Sequence, residues 1–309
     1  SDEDVASAAR EGLMARHTVQ FHWTNATPAS GSAAPAPDGR DNDAATATPA
    51  GTSAEPMPAA NGDSPSTGAV RPADGQPASR GVAQAGRYRD FDDFLAYLSQ
   101  EKRKKIRQER RRVADAGVTF RWAAGADIAA ADWDFFYRCY ERTYLEHGNP
   151  PYLTRAFFQQ MAERMPAHWL LFIAERGGRP IASSLIAIDQ DASSASGQNR
   201  SIHLPSTAYG RYWGALERVD CLHFEACYYQ PLQWCIEHGV GRFEGGAQGE
   251  HKMARALLPV QATSLHWLAH PAFADAVERF LEREGAGVEH YLDDLQARSP
   301  FRSNGGPSS

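Results

Sequence analysis

The sequence predicts an α/β fold, an α+β arrangement in which one mixed sheet carries helices on both faces. Segments with alternating apolar residues, typical of strands, recur between segments with apolar residues at helical spacing. Two of the predicted strands are joined by Gly177 and Gly178, which favour a hairpin. Other strands are separated by helices and therefore need crossovers. Hairpins and crossovers together indicate a mixed sheet.

Composition divides the chain into four segments. The 309 residues carry a formal net charge of −6. Within residues 27–86, 44 of 60 are Ala, Pro, Gly, Ser or Thr, and none is aromatic, Leu or Ile. Such a tract cannot bury enough apolar surface to offset its chain entropy, so we predict a disordered insertion. We expect a folded domain at 87–302, a short separate segment at 1–26 and a flexible tail at 303–309.

The same composition excludes several classes of protein. Mild acidity excludes a nucleic-acid-binding protein held by bulk charge, although a local basic patch stays open. No apolar run approaches the ~18 residues that a transmembrane helix needs, and no signal peptide is recognisable. The four cysteines form no CxxC pair, which indicates reduced thiols in a cytoplasmic protein.

The N-terminal segment ends in an alternating stretch, 18–23, with Val19, Phe21 and Trp23 on one face, which predicts a strand. No partner strand follows before the 27–86 tract. We therefore expect this strand to be tethered to the main domain without being ordered on it. Because the chain begins inside a charged helical pattern, we also expect that a preceding domain is missing.

After the tract, a short apolar helix around Phe94 leads to a second, strongly basic helix that Ser99 can cap. Residues 102–112 contain eight cations, with Glu109 as their acidic neighbour within the run. A charge run is most often a solvated face. Eight neighbouring cations repel one another, however, and favour a polyanionic partner such as tRNA, a nucleotide phosphate or an anionic lipid surface. The residues predicted to bind it are Lys102, Lys104, Lys105, Arg111 and Arg112.

The remaining elements follow from apolar periodicity and from residues that start or stop helices. Gly117 ends the basic helix, Thr154 caps a later helix, and Pro231 is expected to kink another. Residues 189–205 are polar and irregular, as in an enlarged hairpin tip. The predicted strands are 118–122, 169–175, 180–188, 207–214, 241–244 and 263–268, and the predicted helices are 132–147, one from Thr154, 222–238, a short one near Gly249 and one from Pro271.

The densest polar constellation is EGGAQGEHK at 244–252. A strand that enters glycines and then a helix exposes main-chain N–H groups, which favour an anionic ligand. Glu250, His251 and Lys252 supply a base, a proton carrier and a cation in consecutive positions. The alternative is an ordinary strand-to-helix turn with an acid placed by the helix dipole. Neither a phosphate-binding GxxxxGK loop nor a zinc-protease HExxH helix is present.

A second constellation comprises YGRYWG at 209–214 and LHFEACYYQ at 222–230. Arg211 lies in an aromatic strand, and a cation near the centre of a sheet is costly unless it meets an anion or a carboxylate. His223, Glu225 and Cys227 alternate by two. Because that spacing spreads them around a helix, we predict no metal site.

Several segments are together similar to one family: QFHW at 20–23, FDDFLAYLS at 91–99, the KRKKIRQERRRV run, YGRYWG, HFEACYYQ, GAQGEHK and SPFR at 299–302. On these segments the chain resembles the FemAB-like group of bacterial N-acyltransferases, labelled peptidoglycan biosynthesis or recognition proteins, within the GNAT superfamily. The resemblance implies a GNAT-like acyl-CoA N-acyltransferase fold in two halves. It also implies that this chain holds the end of the first half and all of the second.

The resemblance further implies that an amine attacks an activated acyl group, either an acyl-CoA thioester or the ester of an aminoacyl-tRNA. By position we assign Glu250 or Glu244 as the base and His251 as an alternative base or acid. Arg211 and Lys252 are the expected anion binders. The other residues expected to bind donor or substrate are Tyr209, Trp213, His223, Glu225, Tyr228, Gly245, Gly246, Gln248 and Gly249.

Three hypotheses about function follow. The first is an N-acyltransferase that uses acyl-CoA as co-substrate and a small-molecule amine as acceptor. The second is a Fem-type transferase that depends on aminoacyl-tRNA and acts on a cell-wall precursor. The third is a non-catalytic module that recognises peptidoglycan or another polyanion.

Overall fold

One seven-stranded sheet organises the computed structural model, which describes residues 12–27, 86–189, 207–247 and 249–301. The strands are β1 (Met14–Thr24), β2 (Val118–Ala124), β3 (Trp169–Arg176), β4 (Arg179–Ile188), β5 (Thr207–Ala215), β6 (Arg242–Ala247) and β7 (Leu258–His266). Their order across the sheet is β2-β3-β4-β5-β6-β1-β7. β5 and β6 are parallel neighbours, whereas the other neighbouring pairs are antiparallel. The predicted mixed α/β class is confirmed.

Helices cover both faces of the sheet. They are α1 (Phe91–Tyr97), α2 (Gln100–Asp115), α3 (Ala130–Glu146), α4 (Arg155–Arg164), α5 (Leu222–Phe224), a π-helical turn (Glu225–Tyr229), α6 (Gln230–Glu237) and α7 (Pro271–Gln296). The predicted caps are present: Lys102 N–H donates to Ser99 Oγ over 3.5 Å, and Phe157 N–H donates to Thr154 Oγ1 over 3.2 Å. In the part of the chain that the structure describes, no helix combines the length and apolar character needed to cross a membrane.

β3 shows how the two apolar cores are divided. Leu170 and Phe172 pack into a core with α1 and α6, whereas Leu171 and Ile173 pack into a second core with α3 and α4. Side chains alternate between the two faces of a strand, and both faces of β3 are covered. The continuous apolar run of this strand therefore reflects burial on both sides.

The N-terminal strand corrects an expectation. β1 lies between β6 and β7, with Trp23 opposite Phe243 and Gln20 opposite Val260. Trp23 is 1% exposed and belongs to the larger core. The expectation that this strand stays unordered beside the domain is wrong. Its partners lie more than two hundred residues further along the chain, beyond the reach of local pattern reasoning.

The two ends of the predicted insertion meet. Thr27 N–H donates to the Gly86 carbonyl oxygen over 2.8 Å. Just before, the Asn25 side chain accepts a bond from Tyr88 N–H over 3.2 Å and donates to the Val240 carbonyl over 3.2 Å. The rest of the predicted disordered tract, 28–85, lies outside the described residues. The chain therefore leaves and re-enters the domain at one point.

Several elements differ in type or extent from the predictions. The helix predicted at 222–238 contains the π-helical turn, and Pro231 follows that turn in the first turn of α6, where a proline is tolerated. β6 extends to Ala247 and β7 already begins at Leu258. The short helix near Gly249 is a 3₁₀ turn, Glu250–Arg255, called the 250–255 turn below. Apart from Asp189, the irregular stretch 189–205 lies outside the described residues.

Trp23→Ala tests whether β1 belongs to the domain. Because the indole fills the core, we expect the free energy of unfolding to fall by about 3–5 kcal/mol in chemical denaturation. Trp267→Ala is the matched control, since that indole is 66% exposed, and it should change stability little. A Trp23→Ala protein as stable as the control would contradict the placement of β1.

Candidate functional site

The parallel strands β5 and β6 separate early. They pair from Thr207 opposite Arg242 to Tyr209 opposite Glu244 and then diverge, although β5 continues to Ala215. We call the gap that opens beyond this pairing the β5–β6 fork. It holds a cavity of about 150 Å³. The lining residues are Ser184, Gly210, Arg211, Tyr212, Trp213, His223, Cys227, Tyr228, Phe243, Gly245 and Lys252.

A β-bulge sets the position of Arg211 at this fork. The register between β4 and β5 shifts between Leu185 and Ile186, so Arg211 has no opposite residue on β4. Its side chain is exposed, and the guanidinium carbon lies 5.1 Å from the centre of the Tyr209 ring. The expectation of a costly cation at the sheet centre is wrong, because the bulge turns this side chain to solvent at the cavity mouth.

Two glycines are required by close approach. A Cβ at Gly245 would lie 2.3 Å from Leu257 Cδ2 and 3.2 Å from the Phe21 carbonyl oxygen. Gly249 has φ +102°, and a Cβ there would lie 2.4 Å from the His251 ring. These glycines let the 250–255 turn and β1 pack against the strand end, and they place the imidazole of His251.

Two histidines lie within one aromatic cluster beside the cavity. The His251 Nε2 is 3.3 Å from the Tyr228 hydroxyl oxygen. The His223 ring centre lies 5.5 Å from that of Trp213, 5.7 Å from that of Tyr228 and 6.5 Å from that of His251. The sequence predicted a functional role for these two histidines and for Tyr228, and the structure brings all three together.

Burial and neighbouring cations keep both imidazoles neutral. Burial, together with Arg255 and Lys252, lowers the pKa of His251. Burial first, then His251, Arg255 and Lys252, lowers the pKa of His223 to about 4. A neutral imidazole can accept a proton, so at neutral pH the site contains two groups able to act as a base.

Lys252 lies on the cavity wall, but its ammonium is directed to the main chain. The Nζ donates to the Ala247 carbonyl oxygen over 2.7 Å and to the Gly246 carbonyl oxygen over 3.3 Å. Burial lowers the pKa of this side chain. Lys252 thus fastens the end of β6 to the 250–255 turn, in addition to the anion-binding role predicted for it.

The predicted acids do not gather at the cavity. Glu244 pairs with Arg242 over 3.1 Å and lies 3.9 Å from His22 Nε2, on the β1 side of β6. Glu225 is 4% exposed and accepts a bond from Arg110 Nε over 3.1 Å, towards α2. Neither residue lines the cavity.

The structure gives no side-chain position for two further predicted site residues, Gln248 and Glu250. The main chain of Glu250 begins the 250–255 turn, but its side chain lies outside the part of the chain that the structure describes. The whole of Gln248 lies outside it as well. Gly246 has φ +78° at the strand end. The roles assigned to Glu250, Gln248 and Gly246 stay predictions.

Sequence reasoning missed several residues of the site. Ser184 comes from β4, Tyr212 from β5 and Phe243 from β6, and all three line the cavity. Cys227 also lines it, and burial raises its thiol pKa to about 12, which makes a thiolate nucleophile unfavourable. Arg255 is 2% exposed and contacts His251. Among apolar neighbours, no local signal distinguished it from a surface arginine.

The basic helix α2 presents unpaired charge outward. Lys102 pairs with Glu101 over 3.3 Å. Among the described residues, four exposed cations of this helix have no acidic partner: Lys104, Lys105, Arg111 and Arg112. These four belong to the set predicted to bind a polyanion. Within the same described ranges, no three His, Cys, Asp or Glu side chains are arranged to hold a metal ion.

Comparison with protein families gives one match: a family model described as FemAB-like, peptidoglycan biosynthesis/recognition, matches residues 82–303. No curated protein matches the chain.

Among solved structures, one similar protein is L-PGS from Bacillus licheniformis, with 11% identity, a TM-score of 0.42, and coverage of 60% of this chain and 62% of that one. Another is the C-terminal DUF2156 domain of a protein from Agrobacterium fabrum named as a lysylphosphatidylglycerol synthetase, with 12% identity, a TM-score of 0.34 and 52% of this chain covered. The chain spans about half of that structure, 48%. A protein from Clostridium acetobutylicum named as an acetyltransferase and solved with acetyl-CoA has 13% identity, a TM-score of 0.28, and coverage of 41% and 78%.

The lowered pKa of His223 predicts a pH-dependent stability. The unfolded chain binds a proton near pH 6.5, whereas the folded chain does so only near pH 4. The free energy of unfolding should therefore fall by up to about 3 kcal/mol as the pH drops between these values. Denaturant titrations at several pH values should show that His223→Gln flattens this dependence. His290→Gln, on the exposed surface of α7, should keep it, and equal curves for wild type and His223→Gln would contradict the buried neutral imidazole.

Proposed function

The chain belongs to the FemAB-like family of peptidoglycan biosynthesis or recognition proteins, and from this membership we propose that it transfers an acyl group from an activated donor to an amine. The observation that carries the proposal is the β5–β6 fork, where a small cavity is lined by His223 and Tyr228 and the exposed imidazole of His251 lies against the Tyr228 hydroxyl. The finer assignment is an N-acyltransferase with acyl-CoA as co-substrate.

The fork offers main-chain donors for the reacting carbonyl. Beyond Tyr209 the edge of β5 that faces β6 no longer pairs with it. Main-chain N–H groups on that edge can therefore donate to the oxyanion that develops when an amine attacks an acyl carbon. Gly210 starts the unpaired stretch and lines the cavity, and a Cβ there would lie 3.2 Å from Phe243 Cζ.

His251 is the base that the described geometry favours. As the amine nitrogen bonds to the acyl carbon, the neutral imidazole takes the amine proton. The bond from the acyl carbon to the donor's sulfur or oxygen then breaks, and the leaving group receives a proton. Tyr228 can pass that proton on, because burial raises its pKa and keeps its hydroxyl protonated. Glu250 and Glu244 remain the alternative bases, with Glu244 placed away from the cavity.

Arg211 suits the donor's phosphates. Its exposed guanidinium lies at the cavity mouth, and guanidinium groups bind phosphate through two parallel hydrogen bonds. The acyl end would then enter the fork. A cavity of about 150 Å³ fits a small acyl or aminoacyl group. The expected acceptor is an amine on a small cell-wall precursor.

His251→Gln tests the assignment. The protein is incubated with radiolabelled acetyl-CoA, and separately with labelled aminoacyl-tRNA, in the presence of peptide-bearing amino-sugar precursors with a free amine. We expect transfer to the amine, and a rate about 10²–10⁴-fold lower for His251→Gln because a general base is lost.

His290→Gln is the control and should transfer at the wild-type rate. Full activity in His251→Gln would remove His251 from the mechanism. Binding of the precursor without transfer from either donor would contradict the assignment as an acyltransferase and favour a non-catalytic recognition module.

A second candidate, transfer from aminoacyl-tRNA, is favoured by the four unpaired cations of α2. Counterions released from a phosphate backbone make such binding steeply dependent on salt. The helix has no exposed large apolar residue on this face to enter a lipid layer, so among polyanions RNA fits it better than a membrane.

Changing Lys104, Lys105, Arg111 and Arg112 together to Ala should abolish tRNA binding at physiological salt. In titrations of fluorescent tRNA, the slope of log affinity against log salt should become shallower by about 3. The matched control removes four ion-paired arginines instead, Arg142, Arg155, Arg176 and Arg179, and should retain most of the affinity. Equal losses in the two variants would contradict a specific role for α2.

A further inference from the structure

α2 has a buried acid on its inner face. Glu109 is 6% exposed, although the helix around it is basic and solvated. Its Oε2 accepts hydrogen bonds from the Tyr229 hydroxyl and, over 2.8 Å, from Arg255 Nη2. Glu109 therefore joins the basic helix to the π-helical turn and to the 250–255 turn in one place.

Arg255 completes this link to the site. Its Nη1 donates to the His251 carbonyl oxygen over 2.6 Å, and its guanidinium carbon lies 3.5 Å from the centre of the Phe224 ring. The side chain is 2% exposed, so its charge meets Glu109 and the main chain of His251 and does not reach solvent. A planar guanidinium can make such contacts at once, whereas a lysine ammonium cannot stack and bridge in this way.

We propose that Glu109 and Arg255 are positioning residues for His251: Glu109 orients Arg255, and Arg255 holds the His251 main chain so that the imidazole stays against the Tyr228 hydroxyl. The consequence for acyl transfer rests on the proposed function. The positioning itself does not, because it is a property of the contacts that surround His251.

Four titratable or charged side chains lie around His251 among the described residues, and two of them, Arg255 and Lys252, carry charge. Lys252 and Arg255 come from its own turn, and His223 and Tyr228 come from α5 and the π-helical turn. The cation of Arg255 disfavours a protonated imidazole. Removing this cation therefore makes the imidazole easier to protonate.

The test compares Arg255→Met with the double variant Glu109→Leu/Arg255→Met. The single variant leaves Glu109 buried without its partner and is expected to lose stability. The double variant removes both charges, and replacing a buried ion pair by apolar side chains is often tolerated. A purely structural pair would therefore be rescued in the double variant, whereas a positioning pair would not.

Two quantities are measured on the full chain: the melting temperature, and the pH titration of the His251 imidazole by NMR, assigned from the spectrum of His251→Gln. We expect the double variant to recover most of the melting temperature lost in the single variant. We expect the chemical shifts of its neutral imidazole, read at the high-pH end of the titration, to stay changed because the ring no longer rests against the Tyr228 hydroxyl. A raised midpoint follows from loss of the Arg255 cation in either case. Arg121→Met is the control: it removes an arginine that pairs with Asp132 and Glu175, away from His251. This variant should leave the His251 titration unchanged.

A double variant whose neutral-imidazole chemical shifts match the wild type would overturn the proposal, whatever its titration midpoint. Failure of the proposed function is a separate result: it would appear as absent acyl transfer, while the chemical shifts of the neutral imidazole still report whether Glu109 and Arg255 position His251.

Discussion

The parallel strands β5 and β6 separate early, and the packing around the candidate site fills the gap that results. β5 and β6 stop pairing after Tyr209 and Glu244, and each then exposes main-chain groups that the other does not satisfy. Buried main-chain groups without partners are costly. The gap must therefore be filled from the sides, by helical residues from 222–229 and by the 250–255 turn, or by a ligand. The cavity, the histidines and the close-packed glycines all follow from that need.

The residues that fill the fork include the ionisable side chains of His223, Tyr228 and His251, each of which loses part of its hydration there. The π-helical turn adds a residue to the helix and helps to place Tyr228 near His251 while Glu225 and Tyr229 face α2. Such turns occur frequently at functional sites. Low solvation lowers the pKa of both histidines and raises that of the neighbouring tyrosine. Proton acceptors and a protonated hydroxyl thus coexist within one cluster.

The sequence patterns predicted those features of the fold that depend on residues close together in the chain. The hairpin at Gly177 and Gly178 and the caps Ser99 and Thr154 rest on short-range spacing, and the structure confirms them. The proximity of His223 and Tyr228 to His251 was not predicted, because it is a long-range contact between two segments that the sequence analysis treated separately. The partners of β1 could not be predicted, because β6 and β7 lie far along the chain. The outward turn of Arg211 depends on a bulge in its pairing with β4. Glu109 and Arg255 were hidden because a charge run and a lone arginine resemble solvated surface until the fold shows which face is inside.

We propose that an activated acyl donor binds in the β5–β6 fork. The most direct test maps backbone amide chemical shifts during titration with a non-hydrolysable thioether analogue of acetyl-CoA. If the donor binds there, saturable changes should concentrate at 209–214 on β5, at 222–228 and in the 250–255 turn. Changes confined to the β1–β7 edge, or none at any analogue concentration up to the millimolar range, would contradict it.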